Sequence, residues 1–449
     1  MRLERFGAEE VRRLGAEDLR RSGAEGTGGL SRAERVAADL RARVPRGEEV
    51  AEDVRAIIAE VARGGDGALI EFTRRLDTGG AEPRPLLVDA EDLDAAIGTL
   101  PLELVAGLQV AIANVAQVAQ AGVGEDVTVD LSQGQRVTLR EVPVGSAAVY
   151  VPGGRAPYPS TVVMGVVTAR AAGVLDVVVC SPPGRDGEID PVILGTCRLL
   201  GVERVYRMGG AQAIAALALG TETVRRVDVI VGPGNLYVQE AKRLLSEEVG
   251  IDGFAGPSDL LVVFGEDADP GPIALDLLAQ AEHGPGSFVA AISPSATALD
   301  ALAARIEALA AEHASLEPAG CVLVECADAR EGIEIANAFA PEHLELVGAD
   351  PEALAPKVRN AGCLLVGAAS ATAFGDYVAG SNHVLPTGGA ARFASGLSAR
   401  HFRRRMSEVR IDPDGAAKLA RAGVPIARAE GFEWHARSME ARVRENPQP

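Results

Sequence analysis

The chain has 449 residues, of which 47% are hydrophobic, so global disorder is excluded and two or three domains are expected. It contains 44 Lys and Arg against 63 Asp and Glu, which gives a formal net charge of −19. Such an acidic chain is a poor candidate for binding nucleic acid or an anionic membrane surface, because both depend on clustered basic residues.

The N-terminal third is predicted to be mostly helical. Residues 1–45 are rich in Arg and Glu, are interrupted by glycines and carry only a thin apolar stripe, which indicates a helical arm on the surface. Residues 48–75 and 90–121 carry apolar side chains at helical spacing. A strand-like stretch follows them, VTLREVPVGSAAVYVPGG.

From about residue 150 the sequence alternates between β-branched runs and helical segments, beginning with helix STVVMGVVTARAAGV and strand DVVVCSPP. A second alternation begins at about residue 260 with strand DLLVVFGE, and the tail after about residue 395 is predicted to be helical. Continuous β-branched runs between helices are typical of a parallel sheet covered on both faces. Such sheets bind ligands at the carboxyl ends of their strands.

These patterns predict an α/β protein with two Rossmann-like α/β domains, mostly parallel sheets and small helical segments at both ends. The predicted division has four parts: an N-terminal helical arm, a first α/β domain in two pieces, a second α/β domain and a C-terminal helical segment. Their bounds are 1–45, 46–149 with 258–397, 150–257 and 398–449.

The cysteines and the N-terminus predict a cytoplasmic protein. No two of the five cysteines are spaced as CxxC, and most lie in apolar, strand-like runs, which is typical of buried, reduced thiols. The N-terminal segment interleaves acidic and basic residues and lacks the apolar stretch of a signal peptide. No run of about 18 apolar residues occurs, so no membrane span is expected.

Two segments carry a histidine beside a second polar group. Gln280 and His283 lie three residues apart at the end of a predicted helix, where they could hold a metal or merely complement the helix carbonyls. Glu342 and His343 follow Pro341 and are either a pair of proton-transfer groups or an ordinary helix start.

Two further segments leave the same choice open. The Gly-rich loop AFGDYVAGSNHVLPTGG carries Asp376 and His383 and is either a ligand-binding loop or a long surface loop. The segment ARAEGFEWHARSME carries Glu430 and His435, and on local evidence it is an amphipathic helix with an exposed histidine.

Three Gly-rich turns punctuate the first alternation: YVPGGRAPYPST, MGGAQAIAAL and VGPGNLYVQEAK. Each follows a strand-like segment and leads toward a helix, so each is either a site where backbone N–H groups cradle phosphate or only a structural turn. None matches GxGxxG. No cysteine lies in a Gly-rich loop, so thiohemiacetal chemistry has no obvious nucleophile.

Together these segments resemble the histidinol dehydrogenase family, which oxidises L-histidinol to L-histidine with two NAD⁺. The matching stretches occur in the family's order between about residues 140 and 440: YVPGG, GGAQAIAALA, GPGN, AGPSD, QAEHGP, APEHLE, GDYVAGSNHVLPT and AEGFEWH. Each motif is short, but their joint occurrence is highly specific.

The resemblance implies one Zn²⁺ per subunit, bound by Gln280, His283, Asp376 and His435. His435 would come from the partner subunit, so the site itself implies a homodimer. The first α/β domain would carry most of the zinc site, the second would bind NAD⁺, and the C-terminal segment would reach the partner.

The resemblance also implies the roles of the remaining residues. A neutral His343 would take the hydroxyl proton as hydride leaves, and Glu342 would activate water for the second oxidation. The substrate would contact the four metal ligands, His343 and three further residues: Ser258, His383 and Glu430. NAD⁺ would contact Tyr150, Gln212 and Asn235.

Three other functions are considered beside this one. A dehydrogenase of the same fold for another polar alcohol is disfavoured by Glu430 and His435, which would recognise an amine and an imidazole. A zinc hydrolase that uses Glu342 and His343 on a metal-bound water is disfavoured by the Gly-rich turns of residues 150–235. The third is a non-catalytic oligomeric scaffold.

Overall fold

The structure is a computed structural model that describes residues 3–6, 30–44, 50–153, 156–253, 256–284, 286–312 and 320–443. Residues 154–155, 254–255 and 285, which belong to three of the sequence motifs, lie outside this described part.

The strands of the described residues are β1 Leu3–Phe6, β2 Val127–Asp130, β3 Gln135–Pro143, β4 Ser146–Tyr150, β5 Asp176–Ser181, β6 Val205–Arg207, β7 Val229–Val231, β8 Gly250–Ile251, β9 Asp259–Phe264, β10 Phe288–Ser293, β11 Cys321–Glu325, β12 His343–Val347, β13 Cys363–Val366 and β14 Arg403–Ile411.

The α-helices of the described residues are α1 Arg32–Ala42, α2 Ala51–Leu76, α3 Ala90–Thr99, α4 Leu102–Ala121, α5 Pro159–Ala171, α6 Pro191–Leu199, α7 Gly210–Leu219, α8 Leu236–Leu244, α9 Pro270–Ala281, α10 Ala296–Glu312, α11 Ala329–Phe339, α12 Pro351–Leu354, α13 Thr372–Tyr377, α14 Pro413–Ala429 and α15 Glu433–Glu440. Short 3-10 turns occupy Ala355–Lys357, Ala390–Arg392 and Ala399–Phe402.

Two parallel sheets confirm the predicted α/β class. One has five strands in the order β6-β5-β4-β7-β8, and the other has six in the order β1-β11-β10-β9-β12-β13. All neighbouring strands in both sheets run parallel. Strands β9 and β10 are buried along their whole length, as expected for a sheet with helices on both faces.

The helices between residues 51 and 121 pack against the five-stranded sheet. Val54, Val61 and Leu69 of α2 share a core with β4 and α7, while Leu108 and Val115 of α4 share the opposite core with α5 and α6. The sequence pattern predicted that residues 46–149 join residues 258–397 in one domain, whereas the helices of residues 51–121 pack on the five-stranded sheet instead. Helical periodicity shows which face of a helix is apolar but does not identify the sheet that covers it.

The N-terminal segment forms a strand before it forms a helix. Leu3–Phe6 pairs in parallel with β11 at the edge of the six-stranded sheet, where the sequence predicted a helical arm. Helix α1 then packs its apolar face, which includes Val36 and Leu40, in the core beneath α11. Residues 7–29 of the predicted arm lie outside the described residues.

The C-terminal segment also begins with a strand rather than a helix. Strand β14 pairs antiparallel with β3, and β3 pairs antiparallel with β2, which makes a third sheet of mixed exposure. Arg and Ser punctuate β14, so its apolar side chains were too sparse to indicate a strand. Helices α14 and α15 follow as a hairpin with a small core of its own, Ala420, Val424, Ala427 and Ala436.

Helix α4 is, by length and composition alone, apolar enough to cross a membrane, although polar residues divide it so that it has no continuous apolar run of about 18 residues. One face of it is buried against α5 through Leu108, Ala111 and Val115. Its opposite face leaves Leu102, Val110 and Val118 exposed.

The five cysteines are all free thiols, as predicted. Four of them are buried, and Cys363 is half-buried. Burial raises the pKa of Cys321 to about 12, so its thiol stays protonated and unreactive.

Candidate active site

Glu342 and His343 lie at the start of strand β12, which is an inner strand of the six-stranded sheet, between β9 and the edge strand β13. His343 is the first residue of the strand, paired with Leu260 of β9 on one side and Cys363 of β13 on the other. The alternative of an ordinary helix start is therefore wrong. The pair also lies at the amino end of the strand, whereas parallel sheets generally bind ligands at the carboxyl ends.

The His343 imidazole faces the carboxylate of Asp376. Its Nε2 lies 3.2 Å from Oδ1 of Asp376, and its Nδ1 lies 4.0 Å from Oε2 of Glu342. That Nδ1 is buried and has no hydrogen-bond partner. An unpaired buried ring nitrogen beside two carboxylates is costly unless something binds there, so it indicates a position for a ligand or a transferred proton.

Burial and neighbouring charges set the protonation of this pair. Burial raises the pKa of Glu342 to about 7, with the positive charge of His343 acting in the opposite direction. Burial alone would lower the pKa of His343, but the hydrogen bond that its imidazole donates to Asp376 and the charge of Glu342 raise it to about 9. Asp376 and Glu342 thus favour the protonated imidazole, and the neutral form of His343 that the resemblance implies stays a prediction.

Asp376 lies on the short helix α13, in a stretch interpreted from the sequence as a loop. Burial opposes ionisation of its carboxyl, yet the hydrogen bond with His343 and the nearby His383 and His283 keep its pKa below the usual range. Asp376 is therefore an ionised carboxylate stabilised by the charges of nearby histidines, and carboxylate oxygen and imidazole nitrogen are donor types that a divalent cation accepts.

Gln280 and His283 lie where helix α9 ends. Gln280 is in the last turn and is buried, and His283 follows the cap residue Glu282. Burial lowers the pKa of His283, and the charges of Asp376 and His343 are both close enough to act on it. His283 thus lies within electrostatic range of Asp376 and His343, and its role as a metal ligand, which the resemblance implies, stays a prediction.

His383 links Asp376 to helix α5, which packs on the five-stranded sheet. Its Nδ1 lies 2.8 Å from the carbonyl oxygen of Asp376, and its Nε2 lies 3.2 Å from Oγ1 of Thr161 on α5. The neighbouring Asn382 donates from Nδ2 to the carbonyl of Met164 and to Oγ1 of Thr168, both at 3.1 Å. Both ring nitrogens of His383 are therefore occupied by protein groups.

Glu430 and His435 lie on the C-terminal hairpin. Both are exposed, and the His435 ring contacts Phe432 with 5.3 Å between centroids. Within the described part of one chain, no three His, Cys, Asp or Glu side chains converge closely enough to hold a metal ion.

A cavity of about 1400 Å³ opens at the carboxyl ends of strands β4 to β7. Its lining includes all three residues predicted to contact NAD⁺: Tyr150, Gln212 and Asn235. The Tyr150 hydroxyl accepts a hydrogen bond from the backbone N–H of Gly210 at 3.1 Å, which fixes the turn before α7. Asn235 caps α8 by accepting from the backbone N–H of Val238 at 3.1 Å.

Sequence reasoning missed two residues that surround Glu342. Asp259 is fully buried, and its carboxylate accepts from the backbone N–H of Glu342 at 2.6 Å. Arg41 of α1 pairs with Asp259 at 3.0 Å. Asp259 belongs to the motif AGPSD, so its position was available from the sequence, but nothing in the composition of residues 1–45 singled out Arg41.

The family model described as histidinol dehydrogenase matches residues 41–443. The chain belongs to the histidinol dehydrogenase family. The histidinol dehydrogenase of Parasynechococcus marenigrum is 42% identical over 410 residues, covering 90% of this chain and 93% of that protein. The one from Rhizobium meliloti is 41% identical, covering 90% and 95%.

A solved member of the histidinol dehydrogenase family has the same fold. The crystal structure from Elizabethkingia anophelis superposes with a TM-score of 0.86 at 29% sequence identity, covering 99% of this chain and 98% of that one. Membership of this family makes the chain an oxidoreductase of histidine biosynthesis. The motif resemblance found in the sequence is therefore confirmed.

Proposed function

We propose that this chain oxidises L-histidinol through L-histidinal to L-histidine, with two NAD⁺ and one Zn²⁺ per subunit. Membership of the histidinol dehydrogenase family supports the substrate and the reaction. The observation that carries the proposal is the buried arrangement of Glu342, His343 and Asp376 in a chain that also contains a large cavity lined by Tyr150, Gln212 and Asn235.

The residues around Asp376 fit a zinc ion in their chemistry. Imidazole nitrogens and carboxylate or amide oxygens are ordinary zinc ligands, and the proposed ligands are Gln280, His283, Asp376 and the partner subunit's His435. Zn²⁺, when bound, supplies a Lewis acid that polarises the substrate oxygen.

His343 is the proposed acceptor of the substrate's hydroxyl proton. Its unpartnered Nδ1 is the atom free to take that proton, because its Nε2 already faces Asp376. A divalent cation on Asp376 would compete with a protonated imidazole for the same carboxylate, so it would favour the neutral, proton-accepting form of His343.

Glu342 is the proposed base that activates water when the aldehyde is hydrated. Burial raises its pKa to about 7, which is close to the value that suits a base working near neutral pH. One glutamate and one histidine in sequence provide two proton carriers for two successive oxidations. Neither step requires a covalent enzyme intermediate.

The cavity at the carboxyl ends of β4 to β7 is the proposed NAD⁺ site. Backbone N–H groups of its Gly-rich turns offer donors to a pyrophosphate, which suits a chain whose net charge of −19 repels anions. NAD⁺, when bound, accepts hydride from the substrate carbon. Tyr150 and Asn235 hold the turns that would surround the cofactor.

Ser258, His383 and Glu430 are proposed to recognise the substrate, together with the metal ligands and His343. Ser258 lies beside Glu342 and helps to lower that residue's pKa by a side-chain hydrogen bond. His383 has both ring nitrogens occupied, so its contact with substrate would use the ring face or follow a rearrangement.

A homodimer with a shared active site is the proposed assembly. The C-terminal hairpin has its own small core and carries the exposed Phe432 and Trp434 next to His435. The antiparallel sheet adds further exposed apolar residues: Val127, Val129, Met406, Val409 and Ile411. By the strand register, Val127, Val129, Val409 and Ile411 share one face of this sheet, and an exposed apolar face is typical of an interface. We propose a cytoplasmic enzyme with no nucleic-acid or membrane partner.

The test is stoichiometry combined with metal analysis on one preparation. Purified protein given limiting L-histidinol should form two NADH per substrate and should contain one zinc per subunit. Gln280→Ala should lose zinc and activity while still binding NAD⁺ by calorimetry. One NADH per substrate would overturn the two-step reaction, and failure of the zinc-loaded protein to bind NAD⁺ would favour the hydrolase.

A further inference from the structure

Arg41 extends from the N-terminal helix α1 to the segment that carries the proton-transfer pair. Its Nη1 lies 3.0 Å from Oδ2 of the fully buried Asp259. Its Nη2 donates to the carbonyl of Phe339 and, at 3.4 Å, to the carbonyl of Ala340. The guanidinium also stacks on the Phe339 ring, with its carbon 3.5 Å from the ring centroid.

The backbone that Arg41 holds has an unusual conformation. Ala340 has φ 53° and ψ 69°, and among the described residues it is the only non-glycine with positive φ. An alanine adopts this left-handed conformation only when its surroundings enforce it. The turn at Ala340 ends helix α11 and redirects the chain through Pro341 into Glu342 and strand β12.

Asp259 and Glu342 hold each other through reciprocal hydrogen bonds. The backbone N–H of Glu342 donates to Oδ1 of Asp259 at 2.6 Å, and the backbone N–H of Asp259 donates to Oε2 of Glu342 at 3.0 Å. The second bond fixes the carboxylate of Glu342 itself. Arg41 thus reaches Glu342 by two routes, through the carboxylate of Asp259 and through the carbonyls of the Ala340 turn.

We propose that Arg41 is a positioning residue that sets the carboxylate of Glu342 for proton transfer, and that this is the role of helix α1 in the enzyme. The inference rests on the proposed function, because it concerns the base of that reaction. A planar guanidinium can bind a carboxylate, two carbonyls and an aromatic face at once, which the ammonium of a lysine cannot do.

Arg32 offers a matched control on the same helix. Its Nη1 pairs with Glu331 of α11 at 3.2 Å, so it also attaches α1 to α11, but it contacts neither Asp259 nor the Ala340 turn. Arg32→Ala therefore measures how much kcat and stability fall when α1 is attached less firmly to α11 but Arg41 is unchanged.

The experiment compares Arg41→Ala, Arg41→Lys and Arg32→Ala by kcat, KM for L-histidinol, zinc content and melting temperature. We expect both Arg41 variants to lower kcat by about 10- to 100-fold with KM and zinc content nearly unchanged, because a displaced base slows the step without weakening binding. Arg32→Ala should keep kcat within about twofold of the unchanged protein. Arg41→Lys keeps a positive charge opposite Asp259, so it provides the same kinetic test if Arg41→Ala does not fold.

Chemical rescue separates positioning from general loosening of the fold. Free guanidinium at non-denaturing concentration should raise the kcat of Arg41→Ala, and urea at equal concentration should not. A folded Arg41→Ala without rescue, or an Arg41→Lys with the kcat of Arg32→Ala, would overturn the inference. Inactivity of the unchanged protein toward L-histidinol would instead overturn the proposed function.

Discussion

Nε2 of His343 lies 3.2 Å from Oδ1 of Asp376, so a proposed base and a proposed metal ligand share one hydrogen bond. The contact orients the imidazole and directs its Nδ1 away from Asp376, on the side of Glu342. It also means that a change at either residue disturbs the other. The first two predictions separate their roles.

Replacing His343 by Asn should slow turnover by about 10²- to 10⁴-fold, the range expected for loss of a general base. Zinc content should remain, because His343 is not among the proposed ligands. Steady-state kinetics with metal analysis measures both quantities. His401→Asn, at a histidine bonded only to Ser398 in the C-terminal 3-10 turn, is the control. An unchanged rate in His343→Asn would remove His343 from the role of base.

Asp376→Asn and His435→Asn should each be inactive as homodimers and should regain activity when mixed. If His435 serves the partner's site, a mixed dimer has one site with both defects and one intact site. Equal mixing with free subunit exchange should then restore about one quarter of full activity. No recovery, with exchange demonstrated by differently tagged subunits, would contradict a shared site.

Gln212→Ala should raise KM for NAD⁺ by about tenfold, the effect of losing one hydrogen bond of about 1.4 kcal/mol. Gln212 is buried in the wall of the cavity at the carboxyl ends of β4 to β7. KM for L-histidinol and zinc content should not change, because the metal ligands lie in the other unit. Gln109→Ala, at an exposed position on α4, is the control. A rise in KM for L-histidinol alone would assign the cavity to the substrate.

Glu345→Gln should stabilise the metal-free protein above neutral pH. Oε1 of Glu345 accepts from the backbone N–H and Oγ1 of Thr372 at 2.8 and 2.6 Å, and its buried Oε2 has no partner. Burial, with Asp276 nearby, raises its pKa from 4.5 to about 7. The folded chain therefore binds this proton more tightly than the unfolded chain, and stability falls as pH rises between these two values.

The measurement for Glu345 is the melting temperature at about pH 5 and about pH 8. The difference in melting temperature between Glu345→Gln and the unchanged protein should be larger at the higher pH. At about 1.4 kcal/mol per pKa unit, the corresponding difference in unfolding free energy is on the order of 3 kcal/mol. Glu307→Gln, an exposed position on α10, should show no such widening. A gap that is constant with pH would mean that Glu345 ionises normally.

The sequence predicted most strands and helices of the two alternating units, since long β-branched runs and helical periodicity are local signals. Strand β12 was missed because His343 and Glu345 interrupt its apolar residues, although Leu344 and Leu346 alternate as a strand requires. The candidate site came from the resemblance to the histidinol dehydrogenase family, since local patterns alone left each segment open, and the structure places His343 against Asp376.

Long-range partners could not be predicted. Helix α2 carries an apolar face in its sequence, but only the folded chain shows that α7 covers it. Arg41 is one arginine among many in the N-terminal segment, and its partner Asp259 lies 218 positions away. Burial of a charged pair at such a separation depends on the completed sheet, which no local pattern encodes.

The bonds that His383 and Asn382 make to helix α5 hold the two halves of the molecule in fixed register. Under the proposed reaction, NADH from the first oxidation must be replaced by NAD⁺ while L-histidinal stays bound. These hydrogen bonds would let NADH leave and NAD⁺ bind through the opening of the cofactor cavity, without separation of the two halves. L-histidinal would then remain in the closed active site, out of contact with bulk solvent, until its second oxidation.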